Sequence, residues 1–81
     1  MDKRVAVISI IIEDIECAAK VNKILHEYNE YIIGRMGIPY RQKNISIISI
    51  ALDAPEDKIS AISGKVGNIT GVTAKAVYSK V

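Results

Sequence analysis

The chain has 81 residues, 49% hydrophobic, 25% charged and 5% aromatic, which suits one small domain over residues 1–81. Eleven basic against nine acidic residues leave a net charge of +2, too mild to mark a partner by electrostatics alone. The lone Cys17 excludes an intrachain disulfide, and so small a core makes a partner chain the leading source of extra stability. Area scaling gives about 4,800 Å² accessible when folded against about 12,900 Å² unfolded, so only about 63% of the surface can be buried.

Lys3-Arg4 followed by Val5 to Ile12 imitates an export signal, but Glu13, Asp14 and Glu16 follow at once. The apolar run is also far shorter than the ~20 residues of a membrane span. Its Val and Ile density, without Gly or Pro, predicts a first strand over Arg4 to Ile12, buried on both faces. With a single thiol and no export signal, the expected location is the reducing cytoplasm, with no membrane partner.

Asp14 is placed to cap a helix with Glu16 in its first turn, and Ala18, Val21, Leu25 and Tyr28 recur at helical spacing. That helix should end near Tyr28-Asn29. Tyr31 to Ile38 reads as a second strand, Gly37 to Asn44 as a hairpin connection in which Pro39 cannot donate, and Asn44 to Asp53 as a third strand. Pro55 suits the first turn of a second helix, with Glu56 and Asp57 at its positive end and Ile59, Ile62 and Val66 as its buried stripe. Gly67 is its natural stop, and Gly71 turns the chain into a last strand, Val72 to Tyr78.

Strand, helix, strand, strand, helix, strand is the order of an α+β, ferredoxin-like βαββαβ sandwich. It pairs a four-stranded antiparallel sheet with two helices on one face, the first and third strands being central. The other face then has no cover from its own chain. Period-two alternation assigns Val5, Val7, Ser9 and Ile11 of the first strand and Ile45, Ile47, Ser49 and Ala51 of the third to that face. The same logic puts Tyr31, Ile33 and Arg35 of the second strand there, with Thr73, Lys75 and Val77 of the fourth. An aliphatic centre with a charged rim has the composition of a subunit interface, and these eight central residues are the predicted one.

RNA-recognition domains of this fold stack bases on aromatics of the central strands, and these central strands contain none, so nucleic acid is not expected. Ser63-Gly64-Lys65-Val66-Gly67 matches a GxxG loop in four residues, but it closes a helix before a strand instead of joining two helices. Lys65 also lacks the glycine spacing of a phosphate loop. Cys17 and His26, nine residues apart on a helix, point about 180° away from each other and cannot share a metal within one chain. The acidic clusters sit at helix starts, where the helix dipole accounts for them. No cofactor, metal site or catalytic set is expected. Asp14, Arg35, Arg41 and Lys43 remain as candidate ligand or partner contacts, the last three concentrating positive charge around the hairpin.

Five stretches in order carry a resemblance to a known family. They are Lys3-Arg4, Glu13-Asp14, Val21-Asn22 with Leu25-His26, Arg35-Met36-Gly37-Ile38-Pro39, and Ile62-Ser63-Gly64-Lys65-Val66-Gly67-Asn68-Ile69-Thr70-Gly71-Val72. The chain resembles the small iron-only hydrogenase system regulators over nearly its full length. That resemblance implies an ACT-like domain, similar also to the ligand-binding half of nickel-responsive regulators. It departs from amino-acid-binding ACT domains, because Asp14 is followed by Ile15-Glu16 and not by a Pro-Gly pair, and it lacks the histidine set of the nickel-responsive proteins. The resulting expectation is a homo-oligomer, dimer or tetramer, joined through the open sheet face and binding a small-molecule effector or a hydrogenase-related protein. The alternatives are a small enzyme or cofactor-handling protein with a composite interface site, and a purely structural adaptor.

Overall fold

β-Branched residues fill Lys3–Ile12 and Ile45–Pro55, and these two segments form the central strands β1 and β3 of a four-stranded antiparallel sheet. The computed structural model describes residues 2–80. β1 and β3 pair in unbroken register from Lys3 opposite Pro55 to Ile12 opposite Ser46. The edges are β2 (Ile32–Tyr40), beside β3, and β4 (Val72–Tyr78), beside β1, giving the order β2-β3-β1-β4. Two helices, α1 (Ala18–Glu27) and α2 (Glu56–Gly67), complete the expected ferredoxin-like arrangement.

Each helix begins where its sequence allows. The Asp14 carboxylate accepts the Glu16 amide at 3.0 Å, opening a 3-10 turn over Ile15–Cys17 that leads into α1. Pro55 is the last residue of β3 and immediately precedes α2, whose first turn holds Glu56 and Asp57. Gly71, at φ 84°, takes the left-handed conformation that lets the chain turn into β4, and its carbonyl accepts the Glu13 amide at 2.7 Å. The Cys17 thiol donates to the Thr70 carbonyl at 3.4 Å, a second tie between the same two loops.

The core lies between the sheet and the helices. Ala6, Ile8, Ile10 and Ile12 of β1 interdigitate with Ile48, Ile50, Leu52 and Ala54 of β3, and are covered by Val21 and Leu25 of α1 and Ile59, Ile62 and Val66 of α2. The fourth strand is fastened at its end: Arg4 lies 4.8 Å from the Tyr78 ring centre, donates to the Ser79 carbonyl at 2.8 Å and faces Glu56 at 3.4 Å. The accessible surface is 5352 Å², about a tenth more than a chain of this mass ordinarily leaves exposed. The excess reflects a sheet packed on one side.

Ile10 is fully buried at the middle of β1. Ile10→Ala is expected to cost about 2–5 kcal/mol, read as a lower denaturant midpoint with an unchanged slope.

Candidate functional site

On the side away from the helices, alternation along β1 and β3 leaves Val5, Val7, Ser9 and Ile11 exposed, with Ile47 also exposed and Ile45, Ser49 and Ala51 half-buried. Ile11 retains 44% of its accessible surface and Ile47 39%, although both sit on central strands. Inside a compact domain such positions would be dry; here the whole row of aliphatics meets water. The register arranges this face in three cross-strand rows. Gly34, Ala51, Val7 and Val77 make the first, Met36, Ser49, Ser9 and Lys75 the second, and Ile38, Ile47, Ile11 and Thr73 the third.

Edge strand β4 presents the residues its alternation predicts, Thr73, Lys75 and Val77, whereas β2 does not. The pairing of β2 with β3 slips between Ile32 and Gly34, which face the consecutive residues Leu52 and Ala51. Ile33 is the extra residue of a β-bulge, and every side chain beyond it changes face. Arg35 therefore stands opposite Ile50 on the helix side, and Met36, Ile38 and Tyr40 take the open face beyond the bulge, where Ile33 itself is exposed. Tyr31 lies outside β2, in a 3-10 turn over Asn29–Tyr31, and packs against the core. The signal for this was Gly34 itself, since glycine within a strand marks a bulge. The bulge makes the open face more apolar than strict alternation implies.

The candidate polar residues do not converge. Arg35 crosses to α1 and donates to the Asn22 side-chain carbonyl at 2.6 Å. Pro39 lies within β2 opposite Ser46, so the expected hairpin connection shrinks to the 3-10 turn Arg41–Lys43 and Asn44, which adopts the left-handed conformation. Arg41 and Lys43 are exposed there. Asp14 is at the same end of the sheet, just beyond Ile12, but its carboxylate is engaged in the helix cap. Among the described residues no ion pair joins these groups, no group of three metal-ligating side chains exists and no pocket is enclosed. No helix among the described residues is long and apolar enough to cross a membrane.

One pair of polar groups joins the helices. Lys65 of α2 reaches over Tyr28, 5.0 Å from its ring centre, at the end of α1. Its ammonium is held above its ordinary pKa, first by side-chain hydrogen bonding with Tyr28 and second by the charge Tyr28 acquires when ionised.

Residues 4–76 match the TM1266-like family, described as an iron-only hydrogenase system regulator. Among solved structures, the uncharacterized protein TM1266 from Thermotoga maritima is 42% identical, with a TM-score of 0.92 over 98% of this chain and 100% of that one. A formyltetrahydrofolate deformylase from Pseudomonas putida KT2440 is 13% identical, with a TM-score of 0.65 over 90% of this chain and 28% of that one. At that identity the likeness shows the fold alone. No curated protein matches the sequence.

Tyr28→Phe is expected to bring the Lys65 pKa down toward its ordinary value, measured by NMR titration of the side-chain resonances. Because the folded value is raised, any stabilisation it carries is full below the unfolded lysine pKa of about 10.4 and is lost as pH climbs through the folded value.

Proposed function

Because the chain belongs to the TM1266-like family of iron-only hydrogenase system regulators, we propose that it is a regulatory module assembled through its open sheet face, binding a small ligand or protein partner at the subunit interface. The observation that carries this reading is the uncovered aliphatic face of β1 and β3. Val5, Val7 and Ile11 are each at least 38% exposed there, on the strand whose other face holds the centre of the core. A patch so apolar and continuous, rimmed by Lys75 and Asp53, has the make-up of a protein contact. The exposed basic turn at Arg41 and Lys43 offers a docking point for an anionic ligand or acidic partner.

The module is read as cytoplasmic and non-enzymatic, its effect exerted through what it binds. Asp14 and Arg35, the candidate polar contacts nearest the sheet, are already engaged by the Glu16 amide and by Asn22. Any small-ligand site is, on this reading, built between copies.

Sedimentation analysis at micromolar concentration is expected to find an oligomer, and Ile47→Lys to dissociate it while circular dichroism stays unchanged. The buried unpaired charge should cost about 3 kcal/mol or more of association energy. A well-folded wild-type monomer, or an Ile47→Lys variant of unchanged mass, overturns the assembly. Native mass spectrometry of the wild type should retain a small ligand or a protein partner. Turnover of a retained metabolite would instead favour a composite-site enzyme, and capture of a protein with no small ligand would favour an adaptor. Arg41→Ala is expected to weaken binding of an acidic partner and reduce its salt dependence.

A further inference from the structure

The face that the assembly reading depends on also carries information about how two copies meet. Four strands about 4.8 Å apart and about nine residues long at about 3.3 Å each span about 19 × 30 Å, a footprint of more than 1,100 Å² for a pair. Side-chain relief brings this into the range of about 1,200–2,000 Å² that stable interfaces bury. A second copy of this chain therefore has enough to bind. Closed pairs are built on a two-fold axis, and packed sheets keep their strands within about 30° of alignment. The axis then runs either across the strands or along them.

An axis across the strands lays each strand on its own copy. With the serine rows superposed it sets Lys75 against the partner's Lys75, burying like charges. Sliding the copies by one row relieves that clash but puts the Ser9 and Ser49 hydroxyls under aliphatic side chains. Among the described residues neither hydroxyl has a hydrogen-bond partner, so covering them with aliphatics leaves both unsatisfied.

An axis along the strands behaves differently, since it places every cross-strand row opposite its own counterpart. Ser9 then meets the partner's Ser49, and the four hydroxyls can satisfy one another. Lys75 lies over the partner's Met36, with its charge at the rim and its stem on the thioether. Val77, 64% exposed, meets the partner's Gly34, where no side chain projects and the space above the backbone is open.

Resting on the assembly reading, we infer that two copies pack sheet to sheet about a two-fold axis parallel to the strands, between β1 and β3, with Lys75 of each protomer covering the partner's Met36. Sedimentation equilibrium of the wild type, M36K, K75E, the double variant M36K/K75E and I47K tests this, with circular dichroism confirming the fold; Met36 and Lys75 are exposed in the single chain. M36K should raise the dissociation constant at least about tenfold by opposing two lysines, and K75E added to the same chain should restore it to within about threefold of wild type. A double variant no tighter than M36K, or an M36K protein as tight as wild type, overturns the proposed axis. If I47K still dissociates the assembly in that case, the open face remains the interface and only its geometry is lost. A monomeric wild type, or an I47K protein that stays assembled, overturns the face and the axis together.

Discussion

The pairing of β1 with β3 is the constraint on which the remainder of the molecule depends. Ten successive residue pairs, from Lys3 with Pro55 to Ile12 with Ser46, hold two strands whose side chains are apolar on both faces. Because side chains alternate, a single register commits Ile8, Ile10, Ile48 and Ile50 to one side and Val7, Ile11 and Ile47 to the other. Both helices cover the first set. The second set is as aliphatic as the first, yet no helix among the described residues covers it. The same two strands thus supply the core on one side and an uncovered aliphatic surface on the other.

Polar groups act mainly where this sheet needs fastening. Glu13 to Gly71 and Cys17 to Thr70 tie the loop after β1 to the loop before β4, while Arg4 holds the end of β4 through Tyr78 and Ser79. At the opposite edge, the bulge at Ile33 and the missing donor of Pro39 interrupt the row of free backbone groups that would invite further strands. Those devices discourage edge-to-edge growth. Arg35, displaced by the bulge, is taken up by Asn22 on α1.

Fold and function separate clearly in this case. The sheet-and-helix sandwich is shared with part of a deformylase at 13% identity, whereas the family match spans residues 4–76 and the TM1266 likeness spans essentially the whole chain. What distinguishes the module chemically is the composition of a surface.

Alternation, caps and turn residues made most of this architecture legible in the amino-acid order: β1, β3, β4, both helices, the central strand pair and the eight residues on its open side. These are local or near-local signals, set by the two-residue period of a strand and the 3.6-residue period of a helix. The face of β2 was not legible, because one inserted residue reverses every side chain after it, and the position of a bulge is decided by pairing with Leu52 and Ala51, far away in the chain. So Arg35 belonged to the rim by sequence pattern and to α1 in the folded protein, and Met36, Ile38 and Tyr40 joined the open face only there. Composition by itself determined that this small chain carries more aliphatic surface than one core can use; tertiary structure decided where the surplus lies, because only the completed register shows which side of each strand the helices cover.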